Sequence, residues 1–104
     1  MNDCLFCKIY AGAIPSRQEY RDEQCVIFHD IHPKARVHLL IVPKKHIPTV
    51  MDMNNGDFDV IGHMTRAARD VARGLGLEGY KLQFNVGEKG GQEVMHVHMH
   101  LMGN

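Results

Sequence analysis

The stretch HVHMHLMGN, His96 to Asn104, puts histidine at alternate positions and an apolar residue after each. A period of two is the signature of a β-strand. Consecutive side chains leave a strand on opposite faces, whereas a helix would turn each by about 100° and scatter the set around its axis. His96, His98 and His100 therefore share one face, and Met95, Val97, Met99 and Leu101 take the other, turned into a core. The expectation is a strand running from Val94, with its imidazoles on the open face of a sheet rather than buried.

Such a strand needs partners, and the rest of the chain supplies them. CVIFHD and RVHLLIVP are β-branched and apolar enough to be strands, with IHPKA as the turn between them. YKLQFNV reads as another strand, followed by the loop GEKGGQE. From Asp57 to Arg73 the apolar residues Phe58, Ile61, Met64, Ala68, Val71 and Ala72 recur at helical spacing. Asn54 or Asn55 suits the start of that helix, and Gly74 and Gly76 suit its end. A shorter helix fits Cys4 to Tyr10, stopped by Ala11, Gly12 and Pro15. The pattern is α+β, an antiparallel sheet packed by one main helix. No linker or repeat divides the chain, so residues 1–104 are expected to form one domain.

Charge narrows the partners. Twelve basic and twelve acidic residues cancel, leaving no basic excess for nucleic acid or an anionic membrane. The longest apolar stretch, Leu39 to Pro43, is too short to span a bilayer, and MNDCLFCKIY lacks the apolar core of a targeting segment. Three cysteines, an odd count, argue against a disulfide framework. A cytoplasmic protein with reduced thiols is expected.

Three aligned imidazoles admit three readings: a polar sheet face, a metal site, or a nucleophile, since neutral imidazole attacks phosphorus well. No Gly-x-x-x-x-Gly-Lys motif and no carboxylate cluster for Mg²⁺ occurs, so no obligatory magnesium is expected. Cys4 and Cys7 are spaced as half a zinc site or as a redox pair, though a redox pair usually opens a helix after a strand. Two unliganded thiols are the third possibility. Cys25 reads as a core thiol, and His29, His32 and His63 as surface residues.

GGQEVMHVHMHLMG resembles the signature of the histidine-triad (HIT) family, His-x-His-x-His followed by two apolar residues. CLFCKIYAGAIPS, CVIFHDIHPKARVHLLIVPKKHI and GYKLQFNVGEKGGQ follow the order of its HINT-like branch, so the resemblance covers essentially the whole chain. It implies a five-stranded antiparallel sheet with a main helix and a short N-terminal helix, paired into a two-fold homodimer. It also implies a phosphoramidase that cleaves AMP-type purine nucleotides from an amine through a nucleotidyl-histidine. Dinucleoside polyphosphate hydrolysis and a nucleotide-binding interaction module are the alternatives.

By the same resemblance His98 is the nucleophile, and a backbone carbonyl near His96 could hold its Nδ1 proton. His100 meets the phosphate or leaving group, and His38 lines the same site. Asp30 accepts the ribose hydroxyls, and Asn85 lies near sugar and phosphate. Gly91, Gln92 and Glu93 form the phosphate loop, where some members have serine in place of Glu93. Leu5, Phe6, Ile9, Ile14, Phe28 and Leu40 form the base pocket. Zinc-bearing relatives imply a structural Zn²⁺ on Cys4, Cys7, His46 and His96. Many relatives also continue past the position of Asn104, which bears on leaving-group preference.

Overall fold

The computed structural model of the chain describes residues 3–104. In chain order the elements are α1 (Leu5–Tyr10), β1 (Gln18–Arg21), β2 (Cys25–His29), β3 (Val37–Pro43), α2 (Asp59–Gly74), β4 (Tyr80–Phe84) and β5 (Met99–Gly103). The five strands form one antiparallel sheet in the order β1-β2-β3-β5-β4.

The apolar runs in β2 and β3 have a simple origin: the sheet is buried on both sides there. Cys25, Ile27, Leu39 and Ile41 face α2 and pack with Met64, Ala67, Ala68, Ala72, Met99 and Leu101. Their neighbours Val26, Phe28, Leu40 and Val42 face the other way, onto Phe6 and Ile9 of α1. Burying each large aliphatic side chain contributes about 1.5–3 kcal/mol, so these two strands hold much of the core stabilisation.

α2 lies close to the expected span. A 3-10 turn, Asn55–Phe58, leads into it, and the Asn54 backbone N–H donates to Asp57 Oδ2 at 2.8 Å. Gly76, at φ +73°, reverses the chain after it. α1 has only six residues, too few to persist alone, so it depends on what it packs against. Among the described residues no helix is long and apolar enough to cross a membrane.

β1, with all four residues exposed, has no apolar pattern of its own, and the fifth strand that the family resemblance implied is present. Four other expectations need correction. The last strand begins at Met99 rather than Val94, because residues 94–98 leave the sheet ladder and the Val97 N–H instead donates to Ile47 O at 2.8 Å. Off the ladder the alternation lapses, so Met95 is 40% exposed rather than in the core. The imidazoles are not on an open face either: His96 is 0% and His98 6% exposed, with the Phe6 ring of α1 edge-on to both. His63 and His29 are not plain surface residues: each is half-buried and sits 2.6 Å from a carboxylate, Asp22 and Glu19 respectively.

Candidate active site

The hydrogen bonds of the triad assign its protons. His98 Nδ1 lies 2.7 Å from the backbone oxygen of His96. A carbonyl only accepts, so Nδ1 carries the proton and Nε2 keeps its lone pair. The sequence-based expectation of such a carbonyl is met.

A second chain of bonds orients His100. The Lys34 backbone N–H donates to His38 Nδ1 at 3.1 Å, which places the His38 proton on Nε2. That N–H donates to His100 Nδ1 at 3.0 Å, and Asp30 Oδ2 stands 3.5 Å from His38 Nε2. His100 is thereby left with its proton on Nε2. This nitrogen is buried and has no protein hydrogen-bond partner among the described residues. An unmet buried donor costs about 1–3 kcal/mol, which a ligand oxygen would recover.

Burial keeps the imidazoles uncharged. It is the main cause lowering His38 and His98 below the ordinary histidine value. His100 falls to about 4, through burial first and then through His98 and His38 beside it. His96 also falls to about 4, again mainly through burial. At neutral pH these imidazoles therefore present lone pairs and N–H donors rather than positive charges.

These groups open into a cleft of roughly 780 Å³. Its apolar lining is Leu5, Phe6, Ile9, Ile14, Phe28 and Leu40, most of which pack as one cluster. Its polar lining includes Asp30, Asn85, Gly91, Glu93, His38, His98 and His100. Gly91 needs its left-handed φ of +89° to turn the loop, and its carbonyl lies 3.5 Å from Asn85 Nδ2. The fold thus brings nearly every expected nucleotide-site residue to one cavity. His96 and Gln92 are the exceptions: His96 is fully buried behind the cleft wall, and Gln92 serves the loop. The buried Gln92 side chain accepts from the Gly87 N–H at 2.9 Å and donates to Pro48 O at 2.7 Å and Val94 O at 2.9 Å, stapling the loop instead of lining the cleft.

Sequence reasoning missed Gln83, Lys34 and Arg17, which also line this cleft. Gln83 was recoverable: it lies two residues before Asn85, hence on the same face, and donates to Asn85 Oδ1 at 2.8 Å. Lys34 and Arg17 sit in irregular segments where periodicity says nothing about direction.

A second cluster adjoins the triad. Cys4, Cys7, His46 and His96 each offer one ligand atom, all within 4.8 Å of one another, and could hold a metal ion. His96 Nδ1 is 3.2 Å from Cys4 Sγ, 3.5 Å from Cys7 Sγ and 3.2 Å from His46 Nδ1. His46 Nδ1 is 3.5 Å from Cys7 Sγ. The edges of a tetrahedral shell of two sulfurs and two nitrogens around zinc would be roughly 3.3–3.8 Å, so the cluster is nearly preformed. His96 Nε2 donates to Pro43 O at 2.8 Å, which frees Nδ1 as a ligand atom and fixes the ring.

Comparison with known proteins agrees with the fold. Residues 3–104 match the family model described as "Scavenger mRNA decapping enzyme C-term binding". The chain is 40% identical to the protein HitA of Neisseria gonorrhoeae over 104 residues, covering 99% of this chain and 97% of that one. Among solved structures, a HIT family hydrolase from Legionella pneumophila superposes with a TM-score of 0.95 at 46% identity, covering 98% and 93% of the two chains. A histidine triad protein from Clostridium difficile superposes with a TM-score of 0.97 at 37% identity, covering 100% and 92%.

Proposed function

The chain belongs to the histidine-triad family, and from that premise we propose a HINT-like nucleotide hydrolase or transferase that cleaves the P–N bond of adenosine-type 5′-phosphoramidates. The observation that carries this reading is the hydrogen bond from His98 Nδ1 to the His96 carbonyl, which leaves Nε2 free to attack. The purine lies in the apolar slot against Phe6, Phe28 and Leu40, and Asp30 accepts the ribose hydroxyls. A phosphate oxygen takes the unmet N–H of His100. His98 Nε2 then bonds to the α-phosphorus as the P–N bond breaks, and the departing amine takes up a proton from solvent, which the later attack of water returns. Water hydrolyses the nucleotidyl-histidine, releasing the nucleotide and restoring the imidazole.

A second reading, dinucleoside polyphosphate hydrolysis, is favoured by Lys34 and Arg17, two cations that suit an anionic leaving group. One experiment separates the readings: incubate the protein with an adenosine phosphoramidate and with diadenosine tetraphosphate. AMP from the first alone supports the phosphoramidase, and turnover of only the second supports the polyphosphate reading. AMP binding without turnover of either supports an interaction module. His98→Asn should reduce turnover by several orders of magnitude and leave nucleotide binding largely intact. Near-normal turnover by the folded variant overturns the covalent route.

The donor set of two thiols and two imidazoles suits zinc. With four protein ligands and no open position, a Zn²⁺ there is structural: it anchors residues and supplies no reaction chemistry. Elemental analysis of untagged protein from metal-replete growth should find close to one equivalent per chain, and below about a tenth of an equivalent the assignment falls. A homodimer fits the exposed sheet edge at β4, where Tyr80 and Leu82 share a face and are 37% and 40% exposed.

A further inference from the structure

The apolar wall of the cleft and the four-ligand cluster are built from the same short segment. Leu5, Phe6 and Ile9 of α1 line the cleft, while Cys4, the N-cap of α1, and Cys7, within it, belong to the cluster. The other two ligands come from distant chain: His46 follows β3, and His96 precedes β5. A six-residue helix does not hold its own shape in water. What fixes α1 is the packing of Phe6 and Ile9, the bond from Tyr10 Oη to Asp22 O at 2.7 Å, a bond from Arg21 to Tyr10 O, and this cluster. The His96 backbone also carries the carbonyl that orients His98.

We propose that a zinc-class ion on Cys4, Cys7, His46 and His96 and a purine nucleotide in the cleft bind with positive linkage, because both order the α1 segment. The inference rests on the nucleotide and zinc assignments above. Whichever ligand binds first pays the ordering of residues 4–14, so the second binds to a segment already in place. Linkage is reciprocal: if the ion tightens AMP binding by some factor, AMP tightens ion binding by the same factor. The effect falls on base binding more than on the bond-breaking step, since the slot is the part that α1 supplies.

The test uses the whole chain. AMP affinity is measured by calorimetry on zinc-loaded and chelator-stripped protein, and Zn²⁺ affinity by competition with a chromophoric chelator, with and without saturating AMP. Both affinities should rise about fivefold or more when the other ligand is present, by matching factors. Backbone amides of residues 5–10 should gain hydrogen-exchange protection with zinc, while those of β2 and β3 stay unchanged. His46→Ala supplies a second arm, because His46 is exposed and is not a cleft-lining residue. The variant should weaken AMP binding and lose any response to zinc. Equal AMP affinities with and without zinc, or a Zn²⁺ affinity indifferent to AMP, overturn the linkage while leaving the nucleotide assignment standing. No AMP binding in either form overturns both, and no Zn²⁺ binding by the parent chain overturns the linkage and the zinc assignment.

Discussion

Acidification should destabilise this fold well before its carboxylates are neutralised, and His100 gives the clearest measure of it. In the unfolded chain an imidazole takes up a proton near pH 6.5. In the fold, burial and the adjacent His98 and His38 hold His100 to about 4. Between these values the unfolded state binds the proton and the folded state does not, so stability falls as pH falls through that window and levels off below it. Full expression of the shift amounts to about 3 kcal/mol, against a typical domain stability of about 5–15 kcal/mol. His100→Asn removes the titration and retains an oxygen that can accept from His38 Nε2. Urea unfolding of metal-stripped parent and variant at half-unit steps from pH 7 to 4 then reads chiefly the loss of the His100 titration, with the altered surroundings of His38 and His98 as the smaller contribution. The parent should lose about 2–3 kcal/mol more than the variant across the window. Parallel curves, or a parent that loses less than the variant, would refute the assignment of a buried neutral imidazole.

Gln92→Leu should cost roughly 2–3 kcal/mol, because the backbone groups Gly87 N–H, Pro48 O and Val94 O lose their partner; a calorimetric Tm within about 2 °C of the parent would show that the staple is dispensable. Sedimentation at tens of micromolar should find a dimer, that concentration being well above a ~µM dissociation constant, and a monomer would remove the β4 edge as an interface.

Much of the site was legible in the sequence. Strict alternation in VHMHLM is enough to place His98 and His100 on one side of the chain, and β5 carries His100 on the face opposite Met99 and Leu101. The continuous apolar runs at Cys25–Phe28 and Leu39–Pro43 mark strands covered on both sides, and α1 and α2 do cover them. The family resemblance carried the rest of the nucleotide site, and all but the His96 and Gln92 side chains reached the cleft.

What the sequence by itself determined, then, is direction: which side chains leave an element together, and therefore where a catalytic face can form. Periodicity is local and reports nothing about what lies above that face. Only the tertiary structure decided that α1 covers His96 and His98, that His96 leaves the ladder to meet Cys4, Cys7 and His46, and that β1 exists as a strand. It also decided where the protons reside. The Lys34 N–H, the Pro43 carbonyl and the His96 carbonyl assign the tautomers of His38, His96 and His98, and the first two act through contacts that strand periodicity does not encode. An imidazole's chemistry depends on which nitrogen is left bare, and that is set by its neighbours in space.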